Sequence, residues 1–175
     1  MTNLVVPQPI TVKSLLRKKC IAPKLFQRRS VWTKADKTPY IRSINKGNAL
    51  STIVLVNIEQ CMDYCETRFP QCYARFKAYF DDGFRYLILD GQNRLECLKS
   101  FYDGNYGVHG NFTDKDGVPV FLKNITKLDT LRSKNPRLYD AFVDASVLVL
   151  ELSDRNWIQL HELFKDINSG QPLNR

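Results

Sequence analysis

The stretch Thr52–Ile58, TIVLVNI, is apolar and largely β-branched from end to end, the pattern of a strand buried on both faces. Two further runs read as strands, Phe84–Leu89 (FRYLIL) and Ser146–Leu152 (SVLVLEL). Helical periodicity fills the space between them. Met62, Cys65, Phe69, Cys72, Tyr73, Phe76 and Phe80 recur at three- and four-residue steps, and Pro70 inside that run predicts a kink or two shorter helices. A turn follows at Asp82-Gly83. From Arg94 the pattern is helical again, with Leu95, Leu98, Phe101 and Tyr102 on one side and Gly104 as the stop.

Elsewhere the signals are weaker. Thr11–Leu16 reads as a first strand or the turn leading into one, and Thr38–Lys46 as a short helix stopped by Gly47. Asn105–Gly117 is expected to be a loop or irregular hairpin, with a short strand at Val118–Leu122. Asn135-Pro136 opens a helix running to about Asp144. Ser153 is expected to cap a last helix carrying Trp157, Leu160, Phe164 and Ile167, stopped by Gly170. These elements predict an α+β fold, a small mixed sheet flanked by helices, in one domain over residues 1–175.

The formal charge of +8 is unevenly placed. Lys13 to Lys46 holds eleven Lys/Arg and one acid, +10, while the remaining 15 basic and 17 acidic residues sum to −2. Such a stretch either neutralises phosphates of DNA, RNA or nucleotides or is a solvated face. Within it Lys18, Lys19, Lys24 and Arg29 are the candidate nucleic-acid contacts. No apolar run approaches the ~18 residues of a membrane span, and the N-terminus has no secretory pattern, so a cytoplasmic protein without membrane contact is expected. Five cysteines, an odd number, read as reduced thiols packed as small apolar groups. Cys61, Cys65 and Cys72 would share a helix face, but neither a CxxC spacing nor a nearby histidine supports a metal site.

The segment that bears chemistry is Asp90-Gly91-Gln92-Asn93-Arg94. A strand entering a helix through a tight glycine turn exposes backbone N–H groups at the positive end of the helix dipole, a geometry that binds phosphate. Arg94 would add a bidentate fork, and Gln92 and Asn93 amides that orient water or ribose. Asp90 would bind a metal, take a proton or anchor the turn. The same residues also fit an ordinary strand–turn–helix link with a salt-bridging arginine. The segment is not a Walker loop. Two other segments stand out, Phe26-Gln27-Arg28-Arg29-Ser30-Val31-Trp32, an anion and base-stacking surface or a basic loop with anchored rings, and Asp166–Leu173, which a helix stop followed by Pro172 largely explains. His109 and His161 are too few for a histidine-based nuclease.

Taken in order, FQRRSVW (26–32), ILDGQNRLECL (88–98) and LFKDINSGQPL (163–173) resemble three motifs of the DGQQR-type relatives of the ParB and sulfiredoxin folds. That family is found in modification-dependent restriction enzymes and phosphorothioate-sensing defence proteins. The resemblance spans roughly residues 11–175. It implies a nucleoside triphosphate site (GTP or ATP, with Mg²⁺) in which Asp90, Gln92 and Arg94 act on the phosphates and Asp90 ligates the metal. Gln27, Arg28, Gly91, Asn93, Asn168 and Gly170 would complete the binding site. Asn93 departs from the family's second glutamine, Glu96 and Cys97 from its hydroxyl residues, and the 59–80 helical segment is longer than its usual link. The implied function is a nucleotide-binding, NTP-hydrolysing regulatory domain beside DNA, working with a nuclease domain or subunit, and a homo-oligomer is compatible with it. The alternative is a non-enzymatic DNA-binding module, or a phage or mobile-element protein that binds and inhibits a defence complex.

Overall fold

A computed structural model describes residues 6–27, 32–48 and 52–169. The three apolar runs form strands, β3 (Ile53–Asn57), β4 (Tyr86–Asp90) and β7 (Ser146–Leu152). Together with β1 (Gln8–Thr11) and β2 (Cys20–Ile21) they make a five-stranded mixed sheet in the order β1-β7-β3-β4-β2. β3 is antiparallel to β4 and parallel to β7, and β2 runs parallel to β4 with Cys20 opposite Tyr86.

Both faces of the sheet are covered, as uninterrupted apolar strands require. Residues alternate between two cores. Ile53, Leu55, Ile88, Val147 and Val149 point to one side, where α1 (Val12–Arg17), α2 (Lys34–Asn45), α5 (Gln92–Tyr102), α6 (Leu128–Lys134) and α7 (Pro136–Val143) pack. Val54, Val56, Leu87, Leu89 and Leu152 point to the other, against α3 (Ile58–Cys65), α4 (Pro70–Asp81) and α8 (Trp157–Ser169). The architecture is the expected small mixed sheet flanked by helices. Cys61 and Cys65 are fully buried in the second core.

Pro70 splits the 59–80 segment into two helices and sits in the first turn of the second, where its missing N–H costs no bond. The turn at Gly83 and the stops at Gly47 and Gly104 all have positive φ.

Several expectations are corrected. Thr11–Leu16 is not a strand; the strand ends at Thr11, whose side chain accepts from the Ser14 N–H and caps α1. α2 begins at Lys34, because Thr33 and Asp36 form a capping box and Pro39 is accommodated inside the helix. The segment from Asn105 carries an irregular hairpin, one of the two forms expected, in which β5 (Val108–Thr113) pairs with β6 (Pro119–Thr126) with a register shift between Val108 and Gly110; only the second strand is longer than expected. Ser153 does not cap the last helix. The chain first turns through Asp154 (φ 53°), and Asn156 and Gln159 then exchange backbone-to-side-chain bonds at 3.0 Å.

Candidate functional site

The C-terminal end of β4 feeds α5 through Gly91, whose φ of 91° is left-handed. A Cβ there would meet Ile53 Cγ1 at 3.0 Å and its Cα at 3.2 Å, so both backbone conformation and packing demand glycine. Glycine at the N-cap also supplies no side-chain acceptor. The first turn of α5 holds no acidic residue and no side chain caps it. The N–H groups of Gln92, Asn93 and Arg94 precede the helical bonding pattern, which begins with the Leu95 N–H to Gly91 O bond at 2.9 Å.

These residues line a cavity of about 350 Å³ that opens between the two helical layers at the end of β4. Its wall on one side is Phe26, from a short 3-10 turn at Lys24–Phe26, with Phe164 and Ile167 from α8. On the other stand Trp32 and Tyr40, in edge-to-face contact at 5.0 Å. Burial pushes the Tyr40 phenol well above its usual range, partly opposed by the Arg94 guanidinium nearby.

Arg94 folds back along the helix start and donates from Nη2 to Asp90 Oδ2 at 2.7 Å. Gln92 donates to Glu96 at 2.7 Å, while its own buried Oε1 has no partner among the described residues. Asn93 faces the cavity. The cavity is therefore polar at one end (amides, guanidinium, a carboxylate) and aromatic at the other.

The remaining candidates separate. Gln27 is exposed and donates to Ala22 O at 2.8 Å, bracing its own loop rather than lining the cavity. Asn168 donates to Phe164 O at 2.6 Å, and its buried Oδ1 has no partner among the described residues. Arg28, Arg29 and Gly170 lie outside the described residues. Lys18 and Lys19 are at the other end of the sheet, because Cys20 pairs with Tyr86 at the start of β4. Lys18 is committed there, 3.2 Å from Glu151 and 3.9 Å from the Tyr86 ring centre. Lys19 and Lys24 are exposed. Trp32 belongs to the segment read in the sequence as a base-stacking surface or a loop with anchored rings, whereas Tyr40, Phe164 and Ile167 were not singled out as site residues, their apolar spacing reading as core.

Among the described residues no group of three or more His, Cys, Asp or Glu is placed to hold a metal ion, and no helix is long and apolar enough to cross a membrane. A family model described as the N-terminal domain of GmrSD restriction endonuclease matches residues 12–175. No curated protein and no solved structure matches the chain.

Proposed function

Since the chain belongs to the family of N-terminal domains of GmrSD-type restriction endonucleases, we propose that its cleft binds a nucleoside triphosphate and that turnover there regulates a nuclease acting on DNA. One observation carries this reading: an uncapped helix start and an arginine share a cavity with a set of aromatic rings. Helix N-termini favour phosphate through free N–H groups and the dipole, and rings favour a base. The phosphates would lie against the Gln92–Arg94 amides, with the base between Phe26 and the Trp32–Tyr40 pair. A volume of about 350 Å³ suits a ligand of this class.

Among the described residues Asp90 is the one carboxylate in the cavity lining. Oδ2 is taken by Arg94, which leaves Oδ1 to orient a water toward the terminal phosphorus. A Mg²⁺ arriving with the triphosphate needs only one or two protein carboxylates, and Asp90 fits that need. When bound, the ion would neutralise phosphate charge. Hydrolysis adds the water oxygen to phosphorus, breaks the bond to the bridging oxygen and releases phosphate and the diphosphate. Arg94 would turn from Asp90 toward the phosphates as they enter.

The test is nucleotide binding by calorimetry and phosphate release with GTP and ATP. Binding lost in Arg94→Ala, with the circular dichroism spectrum unchanged, supports the reading. A folded protein that binds neither nucleotide ends it. A second reading, a DNA-binding module without turnover, is favoured by the exposed Lys13, Arg17 and Lys19. Its mark would be DNA affinity that falls steeply with salt and ignores nucleotide.

A further inference from the structure

A second, shallower groove of about 550 Å³ lies on the outer side of the Lys24–Phe26 turn. Ile21 at the end of the edge strand, Ala22 and Gln27 line it together with Arg75 and Tyr79 of α4 and Trp157 of α8. Three features single it out. Lys24 and Arg75 bring two cations to it, and neither has an ion-pair partner among the described residues. Trp157 is only 7% exposed, and among the described residues its buried indole N–H meets no acceptor, whereas buried donors in folded proteins are almost always paired. Leu25, 45% exposed, adds apolar surface at the rim.

We propose that this groove docks an acidic peptide segment of a partner protein. Carboxylates would meet Lys24 and Arg75, and an apolar side chain would cover Leu25 and Tyr79. Positive charge on an otherwise apolar groove sets the complementarity. A nucleic acid fits less well. Trp157 has no free ring face, since Phe26 and Tyr79 stack on it at 5.2 and 6.1 Å and Arg75 lies over it at 4.9 Å. Two cations are also few for a phosphate chain. β2 is the two-residue edge strand of the sheet, and such an edge is a usual seat for an extended peptide.

The chain has two tryptophans, Trp32 in the cleft and Trp157 in the groove, so Trp32→Phe leaves Trp157 as the sole reporter. In that background the full chain is titrated, without nucleotide, with the capped peptide Asp-Glu-Leu-Asp-Glu and its Lys-Lys-Leu-Lys-Lys counterpart. The acidic peptide is expected to change Trp157 emission saturably and the basic one to give no response. Lys24→Glu, a substitution at an exposed residue, should weaken the acidic peptide about tenfold or more. Lys13→Glu, the same charge change on α1 across the sheet, should leave it unchanged. No saturable response, equal binding by Lys24→Glu, or preference for oligothymidylate in the same assay would overturn the proposal. Nucleotide binding is untouched by any of these outcomes.

Discussion

The Arg94 guanidinium reaches back across Gly91 to the Asp90 carboxylate, 2.7 Å away, with the two side chains 17% and 30% exposed. The strand's last residue thus neutralises the charge that the helix's first turn brings to the cavity. A polyanion entering the cleft would compete with Asp90 for the same guanidinium. Partly exposed, the pair contributes about 1 kcal/mol or less to stability, so its replacement should report on binding more than on folding.

Asp90→Asn and Arg94→Ala should therefore behave differently. Freed of its carboxylate, Arg94 in Asp90→Asn is expected to hold triphosphate without Mg²⁺ at least as well as the parent, while the gain from adding Mg²⁺ disappears. Arg94→Ala should lose about tenfold or more in both conditions. Calorimetric titrations with and without Mg²⁺ distinguish the two. A Mg²⁺ increment that survives in Asp90→Asn removes Asp90 as the metal ligand.

Gly91→Ala is expected to destabilise the fold by about 1–3 kcal/mol from backbone strain alone. The 3.0 Å approach to Ile53 adds to that cost, because Ile53 is fully buried and cannot withdraw. Urea denaturation should show a lower midpoint at unchanged slope. A stability equal to the parent's would mean that the turn is not left-handed.

Burial pushes the thiols of Cys61 and Cys97 up to about 12, with a backbone hydrogen bond from Arg155 and the Lys37 charge respectively opposing it. In the unfolded chain they titrate near 9.0. The raised folded values mean that both states keep the proton below pH 9, so the stabilisation is complete there. Above pH 9 the unfolded state alone ionises, and stability should fall progressively toward pH 12. Replacing both residues with Ala should flatten this alkaline fall, at some cost in packing at neutral pH. Denaturation curves at pH 8 and pH 10.5 read the difference, and an equal drop in parent and variant would contradict it.

Strands 53–57, 86–90 and 146–152 were legible because a sheet covered on both faces leaves no alternation to blur the apolar run. Pro70 and the glycine stops were equally plain. What misled was short length. α1 buries only Val12 and Leu15 in six residues, a single helical step too short for the three-residue period to show against the run of a strand. α6 rests on Leu128 and Leu131 alone, too few turns for a period to show. In the site, the path from Asp90 to Arg94 was readable from strand, glycine and helix in sequence. The aromatic wall was not. Periodicity says that Tyr40 and Phe164 face inward, but not whether a neighbouring chain segment or a cavity meets them.

Lys18 illustrates the reverse case, a candidate phosphate contact that the fold employs internally. Desolvation lowers its pKa, but the Tyr86 side chain and the Glu151 carboxylate outweigh that and leave it raised. Asn57 donates to the other Glu151 oxygen at 3.0 Å. Lys18→Met should cost up to about 1 kcal/mol, the side chains being partly exposed, and leave DNA affinity unchanged. A fall in DNA affinity as large as that of Lys19→Met would return Lys18 to the binding surface.

The two ends of the cleft can be separated by choosing ligands that use one end only. Inorganic triphosphate presents phosphates without a base, and it should bind the parent and Trp32→Ala alike, since Trp32 stands on the aromatic side with Tyr40. A complete nucleotide should lose about 1–3 kcal/mol in Trp32→Ala, the usual worth of one base–aromatic stack, or roughly ten- to a hundredfold in affinity. Arg94→Ala should weaken both ligands by the same factor. Equal loss of triphosphate and nucleotide in Trp32→Ala would show the ring to be structural, because removing a base contact cannot affect a ligand that has no base. A loss confined to the nucleotide requires the rings and the helix start to act on one molecule at once.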